Sequence, residues 1–463
     1  MITLYCARWI IPVSSTAFAD GAIAIDGEQI VSIGPRTALV AQFPEAIVRD
    51  FGDAAIIPGL INSHSHLELT AMRGFLENEE TNFFAWLKKL TIARLQRMNA
   101  DDLKVSAAWG ACEAARAGVT CVADASDSAL ESMSALHEVG LRGIVFQESF
   151  GPDPQLAKEN VEKLKTKIAR LRERETPLVR CGVSPHAPYT VCAPQLELIS
   201  RFAIDERLPL MMHAAETSME VSLLRDGRGA FAKGLRIRNI EWRAPGVSTI
   251  QYLNDLGVLQ TRPLLAHCIY VDELDLETLK ETGSRVAHCP KSNAKLGHDR
   301  APFAKFLGKR ISVGLGSDSV ASNNTCDLLE EARFALLFAR LGAGPNAVHG
   351  IERYERVTWE HHHLDANDAL QTATLGGARA LDWQERIGEL REGLQADFVV
   401  VALNGSQQIP SYDPVSTLIF ASSGSDVRLT VVAGREVYRD GRITTVDEER
   451  LRARMKEIAD NLQ

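Results

Sequence analysis

Short apolar runs broken by turns occupy both ends of the chain, whereas the middle repeats a longer rhythm. Near the start, Gly21-Ala22-Ile23-Ala24-Ile25 runs into the Asp26-Gly27 turn signal, and Gln29-Ile30-Val31-Ser32-Ile33 follows. Apolar segments either side of an Asp-Gly pair predict a β-hairpin, because that dipeptide tolerates the positive φ angles of a tight turn. The same texture returns in Asp397-Phe398-Val399-Val400-Val401, in Val427 to Val432, and in Gly434-Arg435-Glu436-Val437-Tyr438. A small β-sandwich domain built from both termini, residues 1–56 and 385–445, is therefore expected.

Between these ends, β-branched apolar runs recur at intervals long enough to hold a helix. They are Ala55-Ile56-Ile57, Val119 to Val122, Gly143 to Phe146, Val179 to Val183, Leu208 to Met212, Leu264 to Ala266, Arg285 to Ala287, and Ile311 to Leu315, eight in all. In one intervening stretch Val161, Leu164, Ile168 and Leu171 alternate three and four apart amid charges, which predicts an amphipathic helix. Eight buried strands alternating with helices predict an α/β fold, a (β/α)8 TIM-like barrel over residues 57–384. Its active site would lie at the C-terminal ends of the strands. Leu451, Met455, Ile458 and Leu462 share a helical face in the tail, so residues 446–463 read as a packing helix.

The residues that follow these strands change the picture. His64 and His66 follow the first, and their spacing of two puts both side chains on one face of an extended chain. His186 follows the fourth, His213 and then Glu216 the fifth, His267 the sixth, His288 the seventh and Asp318 the eighth. Strand ends of a barrel converge on one mouth, so these residues can share a site. Imidazoles and a carboxylate suit zinc or another divalent first-row ion, and three histidines with Asp318 leave room for a water. Glu216 is placed to carry that water's proton, and His267 to orient it. Taken singly, each residue has a plainer role: Asp318 can cap the next helix, and a strand-end histidine can be a hydrogen-bonded core residue. Their placement on successive strand ends favours the shared site. His361, His362 and His363 read as a loop or helix start rather than a second metal site, and His137, His298 and His349 as structural.

Composition narrows the partners. With 51 basic and 60 acidic residues the net charge is −9, and no Lys/Arg-rich run offers a surface for a phosphate backbone, so nucleic acid is excluded. No apolar run is long enough to span a bilayer, which sets membranes aside. The start, Met1-Ile2-Thr3-Leu4-Tyr5-Cys6, has no secretory pattern, and the eight cysteines are scattered inside apolar runs. Buried free thiols and a cytoplasmic location are expected.

In combination these residues resemble the amidohydrolase superfamily across nearly the whole chain. Pro58-Gly59-Leu60-Ile61-Asn62-Ser63-His64-Ser65-His66 looks like its opening metal motif, His213-Ala214-Ala215-Glu216 like the motif after the fifth strand, and Gly316-Ser317-Asp318 like the closing one. Gly393-Leu394-Gln395-Ala396-Asp397-Phe398-Val399 is similar to the family's return into its small β-domain. The resemblance implies one divalent metal ion, zinc first with Fe2+ or Mn2+ open, held by His64, His66, His213 and Asp318. Glu216 would be the general acid/base, with His267 and Asp318 positioning the attacking water. Relatives with two metals place a carboxylated lysine at the fourth strand's end; here the segment reads Cys181-Gly182-Val183-Ser184-Pro185-His186, which disfavours that mechanism.

Within the superfamily the chain most resembles aminohydrolases of nucleosides, purines and related heterocycles. His186-Ala187-Pro188-Tyr189, His288-Cys289-Pro290-Lys291-Ser292-Asn293, and Arg73-Gly74 followed by Phe84-Ala85-Trp86-Leu87 carry that likeness. His66-Leu67-Glu68-Leu69 is similar to aminodeoxyfutalosine deaminases. The implied activity is hydrolytic deamination of an amine-bearing nitrogen heterocycle: an adenosine-like compound, such as aminodeoxyfutalosine or S-adenosylhomocysteine, or a free purine. His186, Glu68, Trp86 and Asn293 are the expected substrate residues, although Trp86 can equally be core. Triazine chlorohydrolases share the framework, but some lack the glutamate, so Glu216 tilts the reading towards deamination. A cyclic amidohydrolase is the third reading, and a non-catalytic scaffold would have lost ligands, none of which is missing. Homodimers are common in the family, and that assembly is left open.

Overall fold

The computed structural model describes residues 1–342 and 364–462. Its centre is a set of eight short parallel strands in two four-stranded sheets. The first sheet contains β1 (Leu60–Ser65), β2 (Val119–Ser126), β3 (Arg142–Ser149) and β4 (Val179–Pro185). The second contains β5 (Met211–Ala214), β6 (Leu264–His267), β7 (Arg285–His288) and β8 (Val313–Leu315). The sheets meet at both seams through single parallel bridges, Val183 with Leu210 and Ser65 with Asp318. Eight parallel strands thus ring one interior in the TIM-barrel manner, although the ladder is continuous only within each half. Almost every strand residue is buried, as a sheet wrapped by helices requires.

The terminal strands form one nine-stranded sheet rather than two separate ladders. It curls over its own apolar filling, so that Ile23, Ile30, Ile56, Phe398 and Leu429 share a cluster. The curl brings the turn at Gly27 against the turn at Gly434. Ala396 N–H donates to the Glu28 carbonyl at 2.7 Å, and Gly434 N–H to the Ala396 carbonyl at 3.0 Å. A Cβ on Gly434 would stand 1.9 Å from the Gly27 carbonyl oxygen, and its φ is +74°, so only glycine fits there.

One expectation is corrected. Ala55-Ile56-Ile57, counted as the first barrel strand, lies in Ala54–Pro58, which pairs with Thr3–Ile10 and Phe398–Ala402 in the terminal sheet. Ile57 and Pro58, assigned to the barrel, therefore belong with that sheet, and β1 is the His-Ser-His segment itself. An apolar extended run suits either sheet, and strand pairing made the choice.

The barrel's lower end is tied to the terminal sheet by a fully buried ion pair. Arg142, the first residue of β3, donates to both oxygens of Asp397, from Nε at 2.8 Å and Nη2 at 2.9 Å. The C-terminal helix Glu448–Leu462 buries Ile458 and Leu462 in a cluster shared with Phe83 and Trp86. All eight cysteines are buried and free, and no helix among the described residues is long and apolar enough to cross a membrane.

Candidate active site

Backbone strain turns the strand ends inward. Ala215, His267, Cys268 and Asp318 all hold positive φ, at 52°, 73°, 47° and 56°. Left-handed backbone is unfavourable for residues with a Cβ and persists only where the surroundings impose it. Here it lies directly after β5, at the end of β6 and after β8, where the chain swings side chains into the mouth. The seam between β8 and β1 is close: Asp318 N–H donates to the His64 carbonyl at 2.9 Å. A Cβ on Gly316 would lie 2.8 Å from His64 Cβ and 2.9 Å from Cys289 Sγ, so a side chain there would push the first ligand strand away.

His64, His66, His213 and Asp318 are brought together, all buried, with their donor atoms within 4.8 Å of one another. His66 Nε2 and His213 Nε2 are 3.2 Å apart, and Asp318 Oδ1 lies 3.5 Å from His64 Nε2 and 3.6 Å from His66 Nε2. Donors at about 2.0–2.1 Å around a tetrahedral zinc stand about 3.3–3.4 Å apart, so these edges match such a shell. The buried His64 Nε2 has no hydrogen-bond partner in the protein, as an atom aimed at an ion should. His213 Nδ1 donates to the His186 carbonyl at 2.9 Å, which leaves the Nε2 lone pair for a metal. The residues present therefore fit a divalent ion.

Electrostatics agree with that fit. Burial pushes His64 down to about 4 against the opposing pull of Asp318, and burial also lowers His66 and His213. Neutral imidazole is the ligating form. Burial alone would raise Asp318, but His64 beside it, with His267 and His66 behind, holds its carboxyl well below the usual range. Its second oxygen accepts from Ser292 Oγ at 2.5 Å and Ser322 Oγ at 3.0 Å.

Glu216 stands beside this cluster with one donor and two imidazoles around its carboxyl. Tyr189 Oη donates to its Oε2 at 2.8 Å, while His267 Nε2 and His298 Nε2 lie 3.7 Å and 3.8 Å from Oε1. His267 is oriented from behind, its Nδ1 2.8 Å from Asn293 Oδ1. Sequence reasoning set His298 aside as structural and passed over Tyr189. The signal for Tyr189 was its place in the turn after β4; for His298, which packs against Phe83, no local pattern marked it.

The cluster opens into a cavity of about 410 Å³, within the usual size of a small-molecule pocket. His186 and Trp86 line it, and Trp86 is at once a member of the core cluster behind it. Asn293 is not among the lining side chains, since it sits behind His267. Glu68 lines the cavity, but both its oxygens are occupied: Arg94 Nε donates at 2.9 Å to one, and Ser126 Oγ at 2.5 Å and Ser128 N–H at 3.0 Å to the other. Glu148, which no sequence pattern singled out, also lines it; burial, then the charges of Glu68 and Asp127, raise its carboxyl well above the usual range. His288 stacks on Phe303 instead of joining the four donors. The His361-His362-His363 tract and His349 lie outside the described residues.

Comparison with known proteins follows the same lines. The Amidohydrolase family matches residues 55–437, and the bacterial Imidazolonepropionase-like composite domain matches residues 21–46. The chain is 31% identical to a 5-methylthioadenosine/S-adenosylhomocysteine deaminase of Nitratidesulfovibrio vulgaris, covering 96% of this chain and 93% of that one. It is 32% identical, with the same coverage of 96% and 93%, to a protein of that name from Syntrophobacter fumaroxidans. Among solved structures, an adenosine deaminase from Xanthomonas campestris with bound zinc superposes with a TM-score of 0.84 at 25% identity, covering 99% of this chain and 98% of the other. An atrazine chlorohydrolase of Arthrobacter aurescens complexed with zinc superposes with a TM-score of 0.82 at 23% identity, covering 99% and 100%, which speaks to the fold alone.

Proposed function

The chain belongs to the amidohydrolase family, and from that premise we propose that its strand-end site deaminates an adenosine-like compound, 5′-methylthioadenosine or S-adenosylhomocysteine before a free purine. It is a metal-dependent hydrolase of carbon–nitrogen bonds. The observation that carries the reading is Glu216 at the edge of the four-donor cluster, facing the same cavity. Relatives matched over nearly their whole length and bearing the deaminase name support it, and so does the apolar wall of Trp86, Leu87 and Leu90, which suits a thioether.

His64, His66, His213 and Asp318 would hold the divalent ion, zinc being supported by the zinc-bound adenosine deaminase neighbour. Such an ion, when bound, would lower the pKa of a water from 15.7 to about 7 and so make it a nucleophile at neutral pH. Glu216 takes the water's proton and delivers it to the ring nitrogen next to the amine-bearing carbon; it then carries the proton of the newly bonded hydroxyl to the amine, which leaves as ammonia while the carbonyl forms. Tyr189 holds one Glu216 oxygen, which leaves the other free for that transfer. His267, fixed by Asn293, and Asp318, fixed by its serines, orient the attacking oxygen. Burial of these groups excludes bulk water.

The test is an ammonia-release assay across 5′-methylthioadenosine, S-adenosylhomocysteine, adenosine, adenine, guanine and a chlorotriazine, with elemental analysis of the metal. Glu216→Gln is expected to abolish turnover with metal near stoichiometric. Chloride from the triazine with no ammonia from any purine compound would overturn the reading.

A further inference from the structure

Besides Glu216, two glutamates line the cavity close to the metal ligands, and the protein treats them differently. Glu68 is saturated by Arg94, Ser126 and Ser128. Glu148, at the end of β3, is only 6% exposed, and its Oε1 is buried with no hydrogen-bond partner. Arg94 does not serve it, because the three guanidinium nitrogens go to Glu68, Asp127 and Ser128.

A carboxylate oxygen of Glu148 and ring nitrogens of His186 and His213 lie within 4.8 Å of one another. That trio does not make a second metal site. His213 has one nitrogen on the His186 carbonyl at 2.9 Å and the other 3.2 Å from His66 Nε2, facing the first cluster. What remains is a buried carboxyl oxygen with nothing in the protein to bind, on a side chain that lies beside His186 and His213. A buried polar atom without a partner destabilises a fold and persists where a ligand or function compensates. Glu68 and Asp127 nearby oppose an anionic occupant, so a hydrogen-bond donor fits best.

We propose that Glu148 contacts substrate and determines specificity: its carboxyl receives an N–H or O–H donor carried beside the ring that is deaminated. This rests on the deaminase reading above. The donor is either the ring N–H of a free base or a sugar hydroxyl of a nucleoside. Adenine offers the first, 5′-methylthioadenosine the second, and 9-methyladenine neither.

The experiment uses the zinc-loaded full chain and its Glu148→Leu and Glu148→Gln variants, with kcat/KM from ammonia release and Kd from calorimetry for these three compounds. Glu148→Leu is expected to lower kcat/KM and affinity roughly tenfold or more for the donor-bearing substrate, as when a site loses the partner of a substrate hydrogen bond. Values for 9-methyladenine should stay within about threefold, and whichever of the other two compounds suffers identifies the donor. Zinc content should hold, and Tm should hold or rise, because the lone buried acceptor is gone. Glu148→Gln, which keeps an acceptor, should recover part of the loss. An equal loss for all three compounds, no loss for any, or a falling Tm with loss of zinc would overturn the proposal. If the wild-type chain releases no ammonia, the deaminase reading falls, and the calorimetric arm decides Glu148 by the same criterion.

Discussion

Removing the Ser292 hydroxyl tests whether Asp318 is held for a metal. Asp318 Oδ2 accepts from Ser292 at 2.5 Å and from Ser322 at 3.0 Å, while Oδ1 faces His64 and His66 at 3.5 Å and 3.6 Å. A hydrogen bond to a charged, buried carboxylate contributes about 1.5–3 kcal/mol. Ser322 softens the loss, because its hydroxyl now shares its proton between Asp318 and the Ser319 carbonyl and can turn wholly to Asp318. The net cost to the ligand-competent orientation is then about 1–2 kcal/mol, which weakens metal binding roughly 5- to 30-fold and lies near the 10- to 100-fold typical of such supporting residues. Chelator competition for zinc on wild type, Ser292→Ala, Ser322→Ala and the double variant measures it, with the melting temperature of the metal-free protein as control. The double variant should lose more than the two single losses combined, since Oδ2 then has no donor. Zinc affinity within twofold of wild type for the double variant would refute the reasoning, as would a loss matched by equal destabilisation of the metal-free chain.

Tyr189→Phe should lower kcat/KM roughly tenfold or more with zinc content unchanged, because Glu216 loses its 2.8 Å hydrogen bond; full activity would remove Tyr189 from the proton-transfer machinery. Asp397→Ala strands the Arg142 guanidinium, 0% exposed, and should cost about 3–5 kcal/mol of stability, whereas Arg142→Met with Asp397→Leu should recover most of it; denaturant melts that fail to separate the two would refute the lock. Burial pushes Glu331 up to about 8, against the influence of Lys291 and Asn323, so the folded chain keeps a proton that the unfolded chain releases near pH 4.3. Stability therefore falls as pH rises between about 4.3 and 8, and Glu331→Gln should improve Tm more at pH 8 than at pH 5.5; an equal change at both would refute it.

Much of the site was legible because its residue types are tied to strand ends. His64, His66, His213, Glu216, His267 and Asp318 each follow or end a short apolar run, and the order of these runs places them at one mouth. The seams at Val183 with Leu210 and at Ser65 with Asp318 show how the mouth is assembled. The errors and omissions have a common source. Ala54–Pro58 is apolar and extended, and periodicity reports burial without naming the partner strand. Glu68 and Glu148 are both buried cavity glutamates, and only contacts with Arg94, Ser126 and Ser128 separate the satisfied one from the free one.

The sequence by itself determined the rhythm of buried strands and helices, the return of the chain into a terminal sheet, and the ligand chemistry at the strand ends. Tertiary structure decided which extended run opens the barrel, which donors stand behind Glu216 and Asp318, and which cavity glutamate is left without a partner. The physical reason is range. Period and residue type act through the nearest turns of chain, whereas His66 meets His213 across 147 positions and Arg142 meets Asp397 across 255, contacts that exist only once the strands have closed around one interior.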